Sequence, residues 1–291
     1  MRDVGFRPLR VDMLIHARAN AWADTIAQSD DVLASAAMSA LRMQLSRAIS
    51  LPQEAGEPTV AHISGLLRNL TDVRCQSEKI AALLECCQYY GGLGNPYAGV
   101  EIGRHLIEVC QASGDLATSR RVHNMLGVLF TDAADFRQAM FHLETALTLA
   151  TKLNQPLLGA AALANLSSTL REMGLYQDAL HIIEHVMRLE GDGQIARMLR
   201  FQCAAEGLFS AYRLRDHERA LFFMRVGTEL AGTPNLGIRN LIAFESSRIL
   251  YLIETNDVET AEMLVESAAR RLPIAGNPIA EVVMRLSGAL C

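Results

Sequence analysis

The 291-residue chain is poor in aromatic residues and in lysine. Phe, Trp and Tyr together make up 5% of it, and Lys79 and Lys152 are its only lysines. It has no dense basic run, and its formal net charge is -5. A surface that binds nucleic acid or anionic lipid needs clustered positive charge. The sequence therefore argues against direct binding of either by this region.

Long apolar segments are missing as well. The longest one, residues 156–166, is too short and too rich in Ala and Gly to span a bilayer. Residues 1–20 lack the continuous apolar core of a secretory signal. We therefore expect a cytoplasmic protein. With 50% hydrophobic and 20% charged residues, the composition is typical of a folded, helix-rich chain.

The cysteines form no recognisable metal or redox pattern. They stand at irregular intervals on segments with helical periodicity, and no C-x-x-C pair occurs. We therefore predict buried free thiols, with no metal and no cofactor. The positions concerned are Cys75, Cys86, Cys87, Cys110, Cys203 and Cys291.

Short amphipathic helices alternate with turns after residue 71. A small residue recurs near the start of every second helix, at intervals of 41, 40, 41 and 41. A fixed period of this length predicts a stacked array of hairpins, in which no hairpin buries its apolar faces alone. The recurring residues are Ala98, Ala139, Ala179, Ala220 and Ala261.

Residues 1–70 follow the period less clearly. Periodicity predicts two helices within residues 10–50 and a shorter one over 59–70, separated by a loop that contains two prolines. We expect residues 1–70 to be divergent helices that act as a cap or in dimerisation. Residues 71–291 are expected to form about five repeats, the last one incomplete.

The repeated residues resemble those of the tetratricopeptide repeat (TPR) family. That family has a small residue in the first helix of each hairpin, an aromatic residue just before the second helix, and Ala in the second helix. The resemblance implies an all-α, right-handed superhelical solenoid of antiparallel helix hairpins. The matching residues are Gly127, Phe136, Ala139 and Ala146 in one repeat, and Ser167, Gly174, Tyr176 and Ala179 in the next.

The chain departs from the family pattern in two respects. The early Trp is replaced by His123, Leu163 or Glu245, and the period is 41 rather than the ~34 residues of the family. Long repeats of this kind are similar to those in the sensory regions of bacterial regulators.

In the TPR arrangement, the first helices of successive hairpins line a concave wall. The resemblance, combined with the register of the repeats, predicts which side chains belong to that wall and contact a partner. They are Tyr90, Arg121, Asn124, Val128, Asn165, Ser168, Arg171, Gln202, Phe209, Tyr212 and Ser246.

Three kinds of side chain stand out among these predicted contacts. Asn124 and Asn165 each offer a donor and an acceptor, as a peptide backbone requires, and Asn165 resembles the asparagine with which TPR grooves bind ligand main chain. Arg121 and Arg171 can grip a carboxylate, and the aromatic pair at 209 and 212 can serve as apolar anchors. The two-lysine clamp of chaperone-binding TPR proteins is absent.

These features favour a non-enzymatic module that binds a protein or peptide segment, in the sensory or interaction region of a bacterial signalling or transcriptional regulator. One alternative is a homodimerisation scaffold for an attached effector, such as a diguanylate cyclase or a DNA-binding domain. A remote alternative is a zinc hydrolase, because His181, Glu184 and His185 match the H-x-x-E-H pattern.

Overall fold

The computed structural model describes Ile80, Leu84, Cys87 and residues 96–271, except 190, 192, 235 and 237. Every regular element in this part of the chain is an α-helix, and none of these helices is long and apolar enough to cross a membrane. The predicted all-α fold is confirmed. In chain order the helices are α1 (Pro96–Ser113), α2 (Leu116–Asp132), α3 (Phe136–Lys152), α4 (Pro156–Glu172), α5 (Tyr176–Met187), α6 (Gln194–Arg213), α7 (His217–Leu230), α8 (Ile238–Glu254) and α9 (Val258–Arg271).

The chain divides into two compact units, Met1–Ser113 and Gly114–Cys291. Helix α1 belongs to the first unit. Helices α2 to α9 belong to the second, where they pair as the hairpins α2–α3, α4–α5, α6–α7 and α8–α9. The boundary predicted at residue 70 and the helices predicted before it lie outside the described residues.

Each of the four hairpins of the second unit has an equivalent buried alanine near the start of its second helix, which we call the joint alanine. Ala139, Ala179, Ala220 and Ala261 are each the fourth residue of a second helix, and none of them is exposed to solvent. In each case the alanine N–H donates to the carbonyl of the residue that precedes the helix. The predicted repeat is therefore confirmed for these four positions. Ala98 is the third residue of α1, and its surroundings are not among those described.

The turns inside the four hairpins are alike too. Each has a left-handed residue five positions before the joint alanine, with φ between 57° and 79°, and the following N–H donates to the carbonyl five residues back. This bond is typical of a helix that ends in a left-handed cap. Glycine adopts this conformation without steric cost, whereas other side chains are strained there. The left-handed residues are Ala134, Gly174, Arg215 and Asn256.

Aspartate fixes the start of three second helices. The side chains of Asp135, Asp216 and Asp257 each accept a hydrogen bond from the backbone N–H three residues later, at 3.1 to 3.3 Å. Such a cap satisfies one of the N–H groups that the first turn of a helix leaves without a partner. Each turn therefore ends one helix and starts the next within three residues.

The core contains phenyl rings that pack against helical glycines. A Cβ atom at Gly207 would lie 2.7 Å from the ring of Phe223, and one at Gly227 would lie 2.1 Å from the ring of Phe244. Phe244 in turn contacts Phe201, with 5.2 Å between ring centroids. These glycines let neighbouring helices approach closely enough to bury large rings.

The three described cysteines, Cys87, Cys110 and Cys203, are buried thiols outside any disulfide, as predicted. Burial, with a contribution from Glu206, raises the pKa of Cys203 to about 12. This thiol therefore carries almost no thiolate at neutral pH. The other cysteines lie outside the described residues.

First helices lie closer to one another than second helices do. Helix α2 contacts α4, α4 contacts α6 and α6 contacts α8, whereas the described second helices α3, α5, α7 and α9 make no comparable contacts among themselves. A stack whose members are closer on one side bends towards that side. The second unit is therefore a solenoid whose first helices line its inner side. We call the side chains that these helices present to solvent on that side the inner wall.

Candidate functional site

Three side-chain amides form a row across the inner wall. Asn124 lies in α2, Asn165 in α4 and Gln202 in α6, so each successive first helix contributes one. The Nδ2 of Asn165 donates to Oδ1 of Asn124 at 3.1 Å, and the Nε2 of Gln202 donates to Oδ1 of Asn165 at 2.8 Å. All three residues are half-buried. The sequence predicted all three for the wall, but not that they bond to one another.

We call Asn124, Asn165 and Gln202 the carboxamide row. Some of its N–H donors and oxygen lone pairs remain available for a ligand. Each carboxamide has two N–H donors and an oxygen with two lone pairs. The row itself uses one N–H of Asn165, one N–H of Gln202, and one lone pair on each of two oxygens. The amide of Asn124 donates nothing to the row. An extended peptide backbone, which presents alternating donors and acceptors, matches this chemistry.

Arg171, at the end of α4, is already paired within the chain. Its guanidinium bonds to the carboxylate of Glu206, and to that of Glu172 at 2.7 Å. Burial lowers the pKa of Arg171, but the charges of the two glutamates more than offset this, so its pKa lies above the usual value. The guanidinium also lies 5.1 Å from the ring centroid of Phe209. A ligand carboxylate would have to compete with two internal ones here.

An aromatic–arginine patch lies at the end of α6. It consists of Tyr176, Phe209, Tyr212 and Arg213. The Phe209 ring lies 6.2 Å from Tyr176 and 6.1 Å from Tyr212. The Arg213 guanidinium lies 5.1 Å from the Tyr176 ring and 5.8 Å from the Phe209 ring. Sequence reasoning placed Phe209 and Tyr212 on the wall and missed Arg213, because its contact with Tyr176 comes from a neighbouring hairpin.

The other described residues predicted to contact a partner do not bond to one another. Arg121 is exposed on α2, and Val128 is half-buried. The hydroxyls of Ser168 and Ser246 donate to carbonyls of their own helices, at 3.2 and 2.7 Å. Tyr90 lies outside the described residues.

The H-x-x-E-H residues lie on α5, away from the inner wall. His181 and His185 are exposed. The carboxylate of Glu184 accepts from Nε of Arg219 on α7 at 3.0 Å. The part of the chain that the structure describes contains no group of three His, Cys, Asp or Glu side chains suited to a metal. Glu184 therefore acts here as an ion-pair partner between two second helices.

A histidine pair inside the first hairpin escaped the sequence analysis. The Nδ1 atoms of His123 in α2 and His142 in α3 are 2.9 Å apart, and both residues are buried. Phe130 stacks on His142 with 5.3 Å between centroids. Burial lowers the pKa of His123. One nitrogen must donate and the other accept, so this contact requires at least one neutral ring.

No protein-family model matches the chain, and no curated protein matches it in sequence. Solved structures do resemble it. A Rap protein complexed with competence and sporulation factor has a TM-score of 0.63 at 14% identity, over 94% of this chain and 73% of the other. The apo quorum sensor NprR from B. thuringiensis has a TM-score of 0.61 at 12% identity, over 96% and 82%.

NprR in complex with its cognate peptide NprX also matches, with a TM-score of 0.60 at 12% identity, over 95% of this chain and 84% of the other. At such identities the likeness shows the fold alone. Together with the four equivalent alanine joints, it shows that this chain has a TPR-like fold, an all-α solenoid of antiparallel helix hairpins.

Proposed function

We propose that this chain is a non-enzymatic module that holds an extended peptide or protein segment along the inner wall. In this proposal it is the sensory or interaction region of a cytoplasmic bacterial regulator with long TPR-like repeats. The observation that carries the proposal is the carboxamide row of Asn124, Asn165 and Gln202, which places backbone-compatible groups on three successive first helices.

The comparisons support the same ligand class. Two of the similar structures were determined with competence and sporulation factor and with the cognate peptide NprX, respectively. Both proteins resemble this chain over more than nine-tenths of its length. A peptide is therefore the first ligand to test.

Binding along the row has a direct mechanical consequence. A segment that bonds to α2, α4 and α6 together favours one spacing of these helices over others. A ligand shifts a conformational equilibrium only by its difference in affinity for the two states. The row supplies such a difference, because its three members lie on different hairpins. The change in spacing would then be passed to an attached output domain.

The test is affinity selection with a degenerate synthetic heptapeptide library, followed by mass spectrometry of the retained peptides. The double variant Asn124→Ala, Asn165→Ala removes two members of the row. We expect its retention of the selected peptides to fall about tenfold or more, because several hydrogen bonds of ~1 kcal/mol are lost together. The matched control is Thr148→Ala with Gln177→Ala, two exposed polar residues on second helices.

Circular dichroism of both double variants must show unchanged helix content, since the row also braces the first helices. Equal retention by the wild type and the Asn124→Ala, Asn165→Ala variant would remove the row from the binding site. Retention of no peptide by the wild type would contradict peptide binding itself.

A second candidate function, self-association, is favoured by the outer face. Phe141, Phe222 and Met263 each lie two residues after a joint alanine, and they are 57%, 44% and 59% exposed. They are separate exposed apolar side chains on the second helices α3, α7 and α9, and the equivalent position on α5 is the exposed His181. Light scattering over a hundredfold range of concentration tests this role. A dimer that Phe222→Ser dissociates would support it, and a monomer throughout would contradict it.

A further inference from the structure

A cavity opens where α6 and α8 end. Its volume is about 440 Å³, and its lining is partly apolar, with Leu250 and Ile253 from α8 beside Tyr212. Arg213, Arg215 and Glu254 supply the polar part. Sites for small ligands commonly have volumes of ~300–1,000 Å³ and combine apolar walls with a few polar groups. The aromatic–arginine patch shares Tyr212 and Arg213 with this cavity.

Arg213 differs from the arginines around it. Arg171 is paired with two carboxylates, and Arg215 lies 3.7 Å from the carboxylate of Glu254. Arg213 is exposed, and its contacts among the described residues are with the faces of two aromatic rings. Stacking occupies the face of a guanidinium and leaves its N–H donors, which point outward in its plane, for an anion. The rings therefore orient a cation whose donors remain available.

We propose that this cavity receives the last residue of the bound peptide, with the α-carboxylate on Arg213 and an apolar side chain on Leu250, Ile253 and Tyr212. This inference rests on the proposed function. A C-terminal residue carries its carboxylate and its side chain on one Cα atom, so both fit a cavity with a cationic rim and an apolar floor. An Asp or Glu side chain offers no apolar group at that distance.

Three negative groups lie near the guanidinium: the C-terminal ends of two helices and the carboxylate of Glu254. The C-terminal ends of α6 and α8 each present about half a negative charge, but backbone N–H groups after both helices bond to their last carbonyls. Glu254 is already paired with Arg215. Arg213 carries a full positive charge, and a bond from its guanidinium to a carboxylate is charge-assisted.

The distance from the carboxamide row sets the length of the peptide. Arg213 lies eleven residues after Gln202 on α6, which is roughly 16 Å along a helix. An extended chain covers ~3.3 Å per residue. About five residues therefore span from the last member of the row to the cavity. A heptapeptide whose last residue fills the cavity therefore reaches Gln202 and, with its remaining two residues, the adjacent end of the row.

The test uses the degenerate heptapeptide library in two forms, one with a free C-terminal carboxylate and one with a C-terminal amide. Each form is offered to the wild-type chain, to Arg213→Gln, and to the control Arg188→Gln, whose side chain is 77% exposed at the end of α5. We expect the wild type and the control to retain the acid about tenfold more than the amide. Arg213→Gln should retain both forms equally, and Leu, Ile, Val, Met or Phe should be enriched at the last position of the acids retained by the wild type.

Three results would overturn the inference. Equal retention of acid and amide by the wild type would remove the carboxylate contact while leaving peptide binding intact. A preference for the acid that persists in Arg213→Gln would place the contact elsewhere. Retention of neither form would refute the proposed function, and this inference with it. Circular dichroism confirms that each variant is folded.

Discussion

The hairpins α2–α3 and α6–α7 have the same backbone plan but different interiors. His142 and Phe223 both lie three residues after the joint alanine, and His123 and Ala204 both lie eleven residues before the left-handed turn residue. In the first hairpin the two histidines bond to each other. In the third, the phenyl ring packs against Gly207. Backbone joints and turns therefore define the repeat, and the residues between them are free to differ in chemistry.

The inner wall differs between the same two hairpins. On α2, at the positions three and six residues before the turn residue, stand Thr131 and Val128. The corresponding residues on α6 are Tyr212 and Phe209. The wall therefore changes from small residues beside the carboxamide row to aromatic residues beside a cation. A ligand that crosses it meets backbone-binding groups first and side-chain anchors last.

The largest effect is expected from filling the close glycine contact inside each of these two hairpins. Gly207→Ala places a Cβ atom 2.7 Å from the ring of the buried Phe223, so the ring or a helix must shift. We expect a loss of about 2–3 kcal/mol in the free energy of unfolding. In the first hairpin, Gly127→Ala places its Cβ atom 2.4 Å from Cγ of Leu143, which is equally buried, so we expect a loss of the same size.

Urea denaturation of the two glycine variants, with circular dichroism as the readout, measures both losses. A loss below about 1 kcal/mol in both variants would contradict this explanation of the two close contacts.

An intermediate effect is expected from acid. Because burial lowers the pKa of His123 below its usual 6.5, the unfolded chain binds the proton more readily than the folded one. The stabilisation is complete above about pH 6.5 and falls as the pH drops towards the folded-state pKa of His123. We expect a loss on the order of 1 kcal/mol by pH 5.

The variant His123→Leu should reduce the change in stability between pH 7.5 and 5. Leucine is the residue at the corresponding position 163 of α4. Thermal unfolding at these two values is the measurement. An unchanged slope in the variant would show that the histidine pair is not its source.

The smallest effects are expected in the turns. Ala134 and Arg215 have φ values of 58° and 57° in the two hairpins, whereas the second hairpin has Gly174 at 79°. Ala134→Gly should stabilise the protein by about 0.5–1 kcal/mol, because it relieves the left-handed strain. Gly174→Ala should destabilise it by a similar amount. Melting temperatures that shift in the same direction for both changes would contradict this explanation of the turns.

The sequence predicts those features of this fold that repeat at a fixed interval. The joint alanines and their turns recur every 40 or 41 residues, because each marks a place where two backbones touch and only small or left-handed residues fit. Pro156 lies in the first turn of α4, where proline is well tolerated. These constraints act within one hairpin, and one chain contains several copies of them.

Contacts between unlike positions were not predictable in the same way. Asn124 and Asn165 are 41 residues apart, but Asn165 and Gln202 are 37 apart, so their bond does not follow the period. Arg171, which we predicted from the sequence to bind a ligand carboxylate, is paired with Glu206. Both contacts depend on the relative positions of neighbouring first helices. Periodicity alone does not fix these positions to within a hydrogen-bond length.

The most direct test of the central claim is to map where a selected peptide touches the chain. A retained heptapeptide, resynthesised with benzoylphenylalanine at its central position, is cross-linked by light and located by mass spectrometry. The account predicts cross-links to α4 and α6 on the inner wall, and their loss when unlabelled peptide is added. Cross-links confined to the exposed Phe141, Phe222 and Met263 on the second helices would contradict it.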